Sequence, residues 1–412
     1  MNGLLTVSMI VKNEERFLPE CLASVKEVAD EIVVVDTGST DRTVEIARSF
    51  GAHVIEIEWP NDFSKARNVG LDQVKTPWVL VMDADEELVQ EDIGVLEAAI
   101  TKPLGDAYNI RIVSVMDRAD QISESYVSRL FRSHKDVRFE GKIHEQIFHS
   151  LTQANMRLVP LNMRLIHKGY LEAVVNQRNK AERNKSLLEM HLKENPQDGY
   201  MWWQYAQTLM GAGEYEAGVN ASRRSLKLIT FDQPLWVLAQ VTFAHLLDLT
   251  GQRKRALKAL HEGQSAYPRY TDFWYVEGRL HQKSSGWQEA EQCFRKCLAL
   301  GEAQNFLMTE TGVGSFKALY QLAECMARQD KPKEATATLL LTIQRHPTYR
   351  DAWQGLFHLV AGSSFDAVVE SVMLVMKPEA IVATIQAWPN LTDNERGLLA
   401  AAERHLAPTP QN

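Results

Sequence analysis

Eleven residues, WVLVMDADEEL at Trp78–Leu88, constrain this chain more than any other stretch. Trp78 to Met82 form a mostly apolar run that passes directly into Asp83, Ala84, Asp85, Glu86 and Glu87. An apolar run without polar alternation reads as a strand buried on both faces, as in a parallel sheet. Four acids in five residues at its carboxyl end repel one another unless a cation is bound there. Ligands of open α/β sheets gather beyond the carboxyl ends of the strands. The simplest cation is a divalent metal with oxygen ligands, itself gripping a phosphate. In the alternative, Asp85 caps a helix whose positive end attracts Glu86 and Glu87. That leaves Asp83 without a role.

The segments before Trp78 supply the rest of such a sheet. Leu4–Val11 and Glu31–Asp36 are apolar strands, His53–Glu58 alternates as an edge strand, and helical spacing separates them. This βαβαβαβ order predicts a parallel, doubly wound sheet with right-handed crossovers. A dinucleotide site would need Gly-x-Gly-x-x-Gly after the first strand. The turn there is Lys12-Asn13-Glu14-Glu15-Arg16, without glycine, which excludes that class. A nucleotide held by side chains and a metal fits better. Asp36, closing the second strand, can accept hydrogen bonds from a base or ribose; the other reading is an Asx turn through Thr37-Gly38. Lys65, Arg67 and Asn68 open a helix in NDFSKARN, and cations there would neutralise a diphosphate. One of Lys65 and Arg67 is expected to be a solvated surface residue.

A net charge of −8 over 412 residues argues against nucleic acid as the partner. No run reaches the roughly 18–20 apolar residues of a membrane span. The start, MNGLLTVSMIVKNEE, lacks the charged and apolar regions of a signal peptide. Four cysteines, Cys21, Cys293, Cys297 and Cys325, read as core thiols in a reduced compartment, so a cytoplasmic location is expected.

VSMIVKNEERFLPECLASV, EIVVVDTGSTDRT, NDFSKARNVGL and VMDADEEL follow one another between Val7 and Leu88. In this order and spacing they resemble the family 2 glycosyltransferases of the GT-A fold. The resemblance implies inverting transfer of a sugar from a nucleotide donor, most often UDP-linked. It implies that Val11, Asn13 and Glu14 line the nucleotide pocket and that Asp36 contacts the base. It places Asp83, with Ala84 beside it, at the ribose or metal, and makes Asp85 a metal ligand. Farther on, Tyr108–Val115 and Tyr126–Phe131 alternate as strands, and VRFEGKIHEQI at Val137–Ile147 carries a glycine that argues against a regular helix. Relatives carry a carboxylate here that takes the acceptor proton. Glu145 is the first choice for that base and His144, with an ordinary pKa near 6.5, the second. In Leu165-Ile166-His167-Lys168-Gly169-Tyr170 the resemblance makes His167 a further metal ligand, and imidazole with carboxylates suits Mn²⁺, with Mg²⁺ the other choice.

From about residue 179 the strand patterns end. GEYEAG at Gly213, GQRKRAL at Gly251, GWQEAEQCF at Gly286 and DKPKEAT at Asp330 fall in phase, with Ala217, Ala256, Ala290 and Ala335 opening each second helix. The period, near 34 residues with insertions, resembles tetratricopeptide repeats. Trp202, Trp203, Trp236 and Trp274 are expected mainly between repeats. Stacked units of this kind form a concave solenoid suited to peptides, or to a homodimer. The expected architecture is an α/β GT-A (Rossmann-like) domain over 1–175, an all-α tetratricopeptide-repeat solenoid over 176–350 and C-terminal helices over 351–412. Together these features resemble the sublancin-type peptide S-/O-glycosyltransferases. The resemblance implies a UDP-sugar donor, UDP-glucose first, and a Cys or Ser of a peptide or bacteriocin precursor as acceptor. A glycosyltransferase of cell-surface glycans and a non-catalytic peptide-binding scaffold are the alternatives.

Overall fold

The computed structural model describes residues 3–115, 122–168, 174–303, 311–360 and 364–406. Gly169, Tyr170, the break at 361–363 and the tail 407–412, all singled out in the sequence, lie outside the described residues.

Apolar runs become strands and 3.6-spaced runs become helices in the order the sequence predicts. The order is β1 (Leu5–Val11), α1 (Leu18–Val25), β2 (Glu31–Asp36), α2 (Thr43–Ser49), β3 (His53–Glu56), α3 (Phe63–Leu71) and β4 (Trp78–Val81). Then follow β5 (Glu86–Leu88), α4 (Ile93–Thr101), β6 (Ala107–Val115), β7 (Ile122–Arg132), α5 (Phe148–Gln153) and β8 (Leu158–His167). The sheet runs β3-β2-β1-β4-β7-β6-β8-β5. Its first four strands are parallel, as the alternation with helices requires. Beyond β4 the sheet is mixed: β7 is antiparallel to β4 and β6, β8 is parallel to β6, and β5 is antiparallel to β8. The core between sheet and helices holds Leu5, Val7, Leu18, Leu22, Trp78, Leu80 and Met82, all essentially inaccessible to solvent.

Glu86–Leu88 opens no helix, and its carboxylates cap none. It is a short strand whose register, Glu86 opposite His167 and Leu88 opposite Leu165, fixes where the acidic run points. Arg164 on β8 reinforces that placement, with Nε and Nη2 donating to the two Asp92 oxygens at 2.8 and 2.9 Å.

The chain divides into two compact units, the first closing at Gly213 and the second starting at Glu214. The first therefore reaches beyond residue 175, the expected boundary. α6 (Val174–Glu194) and α7 (Gly199–Gly211) belong to it because Leu187, Leu188, Leu192 and Met201 bury one apolar cluster with Ile143.

The second unit is helical throughout its described residues, from α8 (Tyr215–Leu228) to α18 (Asp393–Arg404). α10 (Arg253–Ala266), α12 (Trp287–Leu300) and α14 (Pro332–Arg345) each open with their phased alanine, Ala256, Ala290 and Ala335, all fully buried. Ala217 of α8 is exposed and the neighbouring Gly218 is buried instead. One core joins Ala323, Leu339 and Ile343 to Val369, Ile381 and Ala402, so no break in packing falls at the expected boundary of 350 and 351. Trp202, Trp203, Trp236 and Trp274 are each half-buried. All four cysteines are free and buried.

Candidate active site

The acidic run at the end of β4 divides its residues between two sets of partners. Asp83 faces arginines. Arg67 Nη2 on α3 donates to Oδ1 at 2.6 Å and Arg129 Nη2 on β7 donates to Oδ2 at 2.7 Å. Arg129 also reaches Glu86 Oε1 at 3.3 Å, and Arg67 Nε donates to Glu145 Oε1 at 2.5 Å. The result is one chain of charges, Glu145–Arg67–Asp83–Arg129–Glu86, closed off by the Asp83 N–H, which donates to Glu86 Oε2 at 2.8 Å. Burial opposes ionisation of Asp83, but the two guanidinium groups outweigh it and hold the carboxyl well below its usual range. Glu86, 2% exposed, goes the other way: burial first, then the charges of Asp83 and Asp85, push it up to about 7 against the pull of Arg129.

Asp85 faces the opposite strand. Its Oδ2 stands 3.2 Å from His167 Nε2, and Lys168 N–H donates to its carbonyl at 2.9 Å. The other ring nitrogen, Nδ1, lies 3.4 Å from Ser114 Oγ on β6. Burial lowers the His167 pKa, yet the hydrogen bond and charge of Asp85 overcome it and the net shift is upward. Cis ligands of a divalent ion at about 2.1 Å stand about 3 Å apart, so this oxygen and nitrogen are spaced to share one ion. A carboxylate with an imidazole fits Mn²⁺, and Mg²⁺ less closely. Asp83 is not the third member of that pair. Among the described residues, Asp83, Asp85 and His167 do not bring three ligand atoms within 4.8 Å of one another. Both Asp83 oxygens are engaged by arginines.

The loop between β7 and α5 carries the proton-accepting candidates. Glu140 and Gln146 exchange backbone hydrogen bonds at 2.9 Å in both directions, which closes it like a hairpin. Inside, Gly141 has φ +103° and His144 φ +51°. Asn68 ties the loop to α3, bonding the Phe139 carbonyl at 3.0 Å and N–H at 2.9 Å. Gln146 Nε2 donates to the His144 carbonyl and to Tyr200 Oη on α7, both at 3.1 Å. Arg67 Nε holds Glu145 through Oε1. Burial holds His144 below its ordinary pKa, partly offset by the charge of Glu145.

The remaining sequence candidates lie at the carboxyl ends of β1 and β2. Val11 is buried there. Asp36 is 3% exposed and makes the Asx turn: it accepts from Gly38 N and Ser39 N at 3.0 Å and from Ser39 Oγ at 2.5 Å. Asn13, at φ +58°, accepts from Thr40 N at 2.8 Å, and Glu14 N donates to Thr43 Oγ1 at 2.7 Å. The β1 and β2 turns are thus laced together. Ala84 is buried between the two acids. Of the two cations in the α3 motif, Arg67 is buried in the ionic chain and Lys65, 68% exposed, is the solvated one.

Sequence reasoning missed Arg129 and the part played by Glu86. The signal for Arg129 is a cation on the same strand face as Phe131, which is 1% exposed. For Glu86 no local signal exists, because burial comes from pairing with β8, where it stands opposite His167, far along the chain.

Residues 6–154, within the first unit, match the model of "Glycosyl transferase family 2", and tetratricopeptide-like helices follow it. Among its relatives is a TPR repeat-containing protein of Synechococcus elongatus, 36% identical over 229 residues that cover 54% of this chain and 56% of that protein. Another is the SPbeta prophage-derived glycosyltransferase SunS of Bacillus subtilis, 29% identical over 282 residues, 67% of this chain and 66% of SunS. The chain thus spans between about half and two thirds of the length of these relatives. Staphylococcus aureus TarS 1–349 in complex with UDP-GlcNAc matches 65% of this chain and 90% of its own at 19% identity, with a TM-score of 0.36, too loose a superposition to carry an argument. No helix among the described residues is long and apolar enough to cross a membrane.

Proposed function

We propose that this protein is a metal-dependent inverting glycosyltransferase that moves a hexose from a nucleotide sugar, UDP-glucose first, to a Cys or Ser side chain of a peptide. The observation that carries the reading is the pair Asp85 Oδ2 and His167 Nε2, 3.2 Å apart at the carboxyl end of the sheet. Asp85 and His167 would hold Mn²⁺ or Mg²⁺, which when bound offsets negative charge on the departing diphosphate. Val11, Asn13, Glu14 and Asp36 border the expected nucleotide pocket, and Asp83, fixed by two arginines, is oriented rather than free to move.

The acceptor is deprotonated from the other side of the site. Glu145 Oε2 takes the proton of a Ser hydroxyl, while Arg67 keeps the carboxylate in place. His144 is the alternative base. A Cys acceptor needs less help, since a few per cent is thiolate at neutral pH. The similarity to SunS and the repeats behind the domain support a peptide acceptor, held by the helical unit. Incubation of purified protein with UDP-glucose, Mn²⁺ and a Cys- and Ser-containing peptide, followed by mass spectrometry, tests this reading. A hexose-sized gain on one of those side chains is expected, and Asp85→Ala reduces it to background. Unchanged turnover in Asp85→Ala removes the metal assignment. UDP release without any peptide or glycan product in the wild type removes the acceptor.

A further inference from the structure

α11 (Thr271–Lys283) and α12 approach unusually closely at one level of the second unit. The cause is Gly278, where an added Cβ would lie 2.8 Å from the Phe294 ring and 3.1 Å from Cys293 Cβ. One residue before this glycine stands Glu277, and one turn after Glu277 on the same helix face stands His281. Across the contact, α12 presents Cys293. The ligand atoms of Glu277, His281 and Cys293 all lie within 4.8 Å of one another, the one such group among the described residues. His281 Nε2 is 3.6 Å from Glu277 Oε1. Its Nδ1 lies on the other side of the ring, toward Gly286.

We propose that Glu277, His281 and Cys293 form a structural Zn²⁺ site that clips α11 to α12. A thiolate, an imidazole and a carboxylate are a borderline-soft ligand set that selects Zn²⁺ over Mg²⁺ or Ca²⁺. Tetrahedral ligands at about 2.0–2.3 Å from zinc stand about 3.3–3.6 Å apart, close to the observed His281–Glu277 separation. The surroundings suit a cation as well. The buried Cys293 thiol faces the Glu277 carboxylate across the helix contact. An ion there would displace the thiol proton to water and bind the thiolate. Glu277 is already oriented: His261 Nε2 on α10 lies 2.9 Å from its Oε1, and Gln264 Nε2 donates to its Oε2. Such outer partners fix a ligating carboxylate. His261 is 59% exposed, so the cluster lies one side chain from solvent. The site is independent of sugar transfer and of Asp85.

The full-length, reduced protein titrated with Co²⁺ as the spectroscopic probe, then with Zn²⁺, tests this. The wild type is expected to show a thiolate-to-cobalt charge-transfer band that saturates at one equivalent and is bleached by Zn²⁺. Cys293→Ser loses the band, Asp85→Ala keeps it, and His281→Gln weakens Co²⁺ binding at least about tenfold. A chelator lowers the melting temperature of the wild type and not of Cys293→Ser. Absence of the band in the wild type overturns the proposal, as does its persistence in Cys293→Ser or its loss in Asp85→Ala. Circular dichroism checks that each variant is folded. If Cys293→Ser is not, the His281→Gln result decides, and unchanged cobalt affinity there is equally fatal.

Discussion

At the scale of single residues, the site depends on which acids are neutralised and by what. Asp83 carries two arginine partners, and Glu86 shares one of them while two neighbouring aspartates repel it. Removing Arg129 should therefore do more harm than removing a surface cation. Breaking a buried pair from one side costs about 3–5 kcal/mol, because a charge is left without compensation. Arg129→Met is expected to lower the unfolding free energy of the first unit by about that amount in a urea titration. Glu86→Gln in the same chain should recover part of it, since one of the two stranded carboxylates is then neutral. A loss below about 1 kcal/mol, the level of a surface pair, would mean that the arginine is not buried among these acids. Residue type alone could name Asp83 and Asp85 as candidates. It could not say that one faces arginines and the other a histidine.

At the scale of elements, two local structures bear weight beyond their length. The loop Glu140–Gln146 is held by Asn68, by its own backbone pair and by Tyr200, with Gly141 in a left-handed conformation. An alanine there meets Met201 Cε at 2.8 Å as well as the cost of its backbone angle. Gly141→Ala is expected to cost about 1–3 kcal/mol in stability and to lower sugar transfer with it, both measurable on one preparation. The second structure is the start of α18. Thr392 Oγ1 accepts from Glu395 N at 3.4 Å and Glu395 Oε2 accepts from Thr392 N at 2.8 Å, a reciprocal cap. Glu395 also receives Arg350 of α15 (Arg350–Leu359), whose Nε donates at 2.8 Å. Burial opposes ionisation of Glu395, but Arg350 and the Thr392 N–H win, and its pKa lies below the ordinary 4.5. A carboxyl depressed in the folded state stabilises above its unfolded pKa and loses that contribution as pH falls through the folded one. The stability difference between wild type and Glu395→Gln is therefore expected to be full at pH 6 and to shrink below about pH 4.5. A difference that grows on acidification would contradict the pairing.

At the scale of the whole molecule, two units each have a core of their own. The first extends through α7 because Ile143, on the site loop, is buried by Leu187, Leu188, Leu192 and Met201. A fragment ending at Gly213 is expected to unfold cooperatively in urea, whereas one ending at residue 175 should bind a hydrophobic dye and aggregate. Equal behaviour of the two fragments would show that α6 and α7 are dispensable to the first unit. The second unit shows no such internal break at residue 350, since one cluster runs from Ala323 to Ala402.

The sequence by itself determined what local pattern can determine. Buried strands followed by helices dictated the parallel half of the sheet. The motifs from Val7 to Leu88 marked the domain's family, and the phased alanines marked the second helix of each repeat. The acidic run, the glycine-bearing loop and His167 were all visible as candidates. Only the tertiary structure decided how they are shared out. The antiparallel pairing of β5 with β8 brings His167 to Asp85 and buries Glu86. The position of β7 beside β4 brings Arg129 to Asp83, and α6 and α7 complete the first unit. Each of these is a contact between segments far apart in the chain. The free energy of such a contact resides in desolvation and charge pairing that neither segment possesses alone.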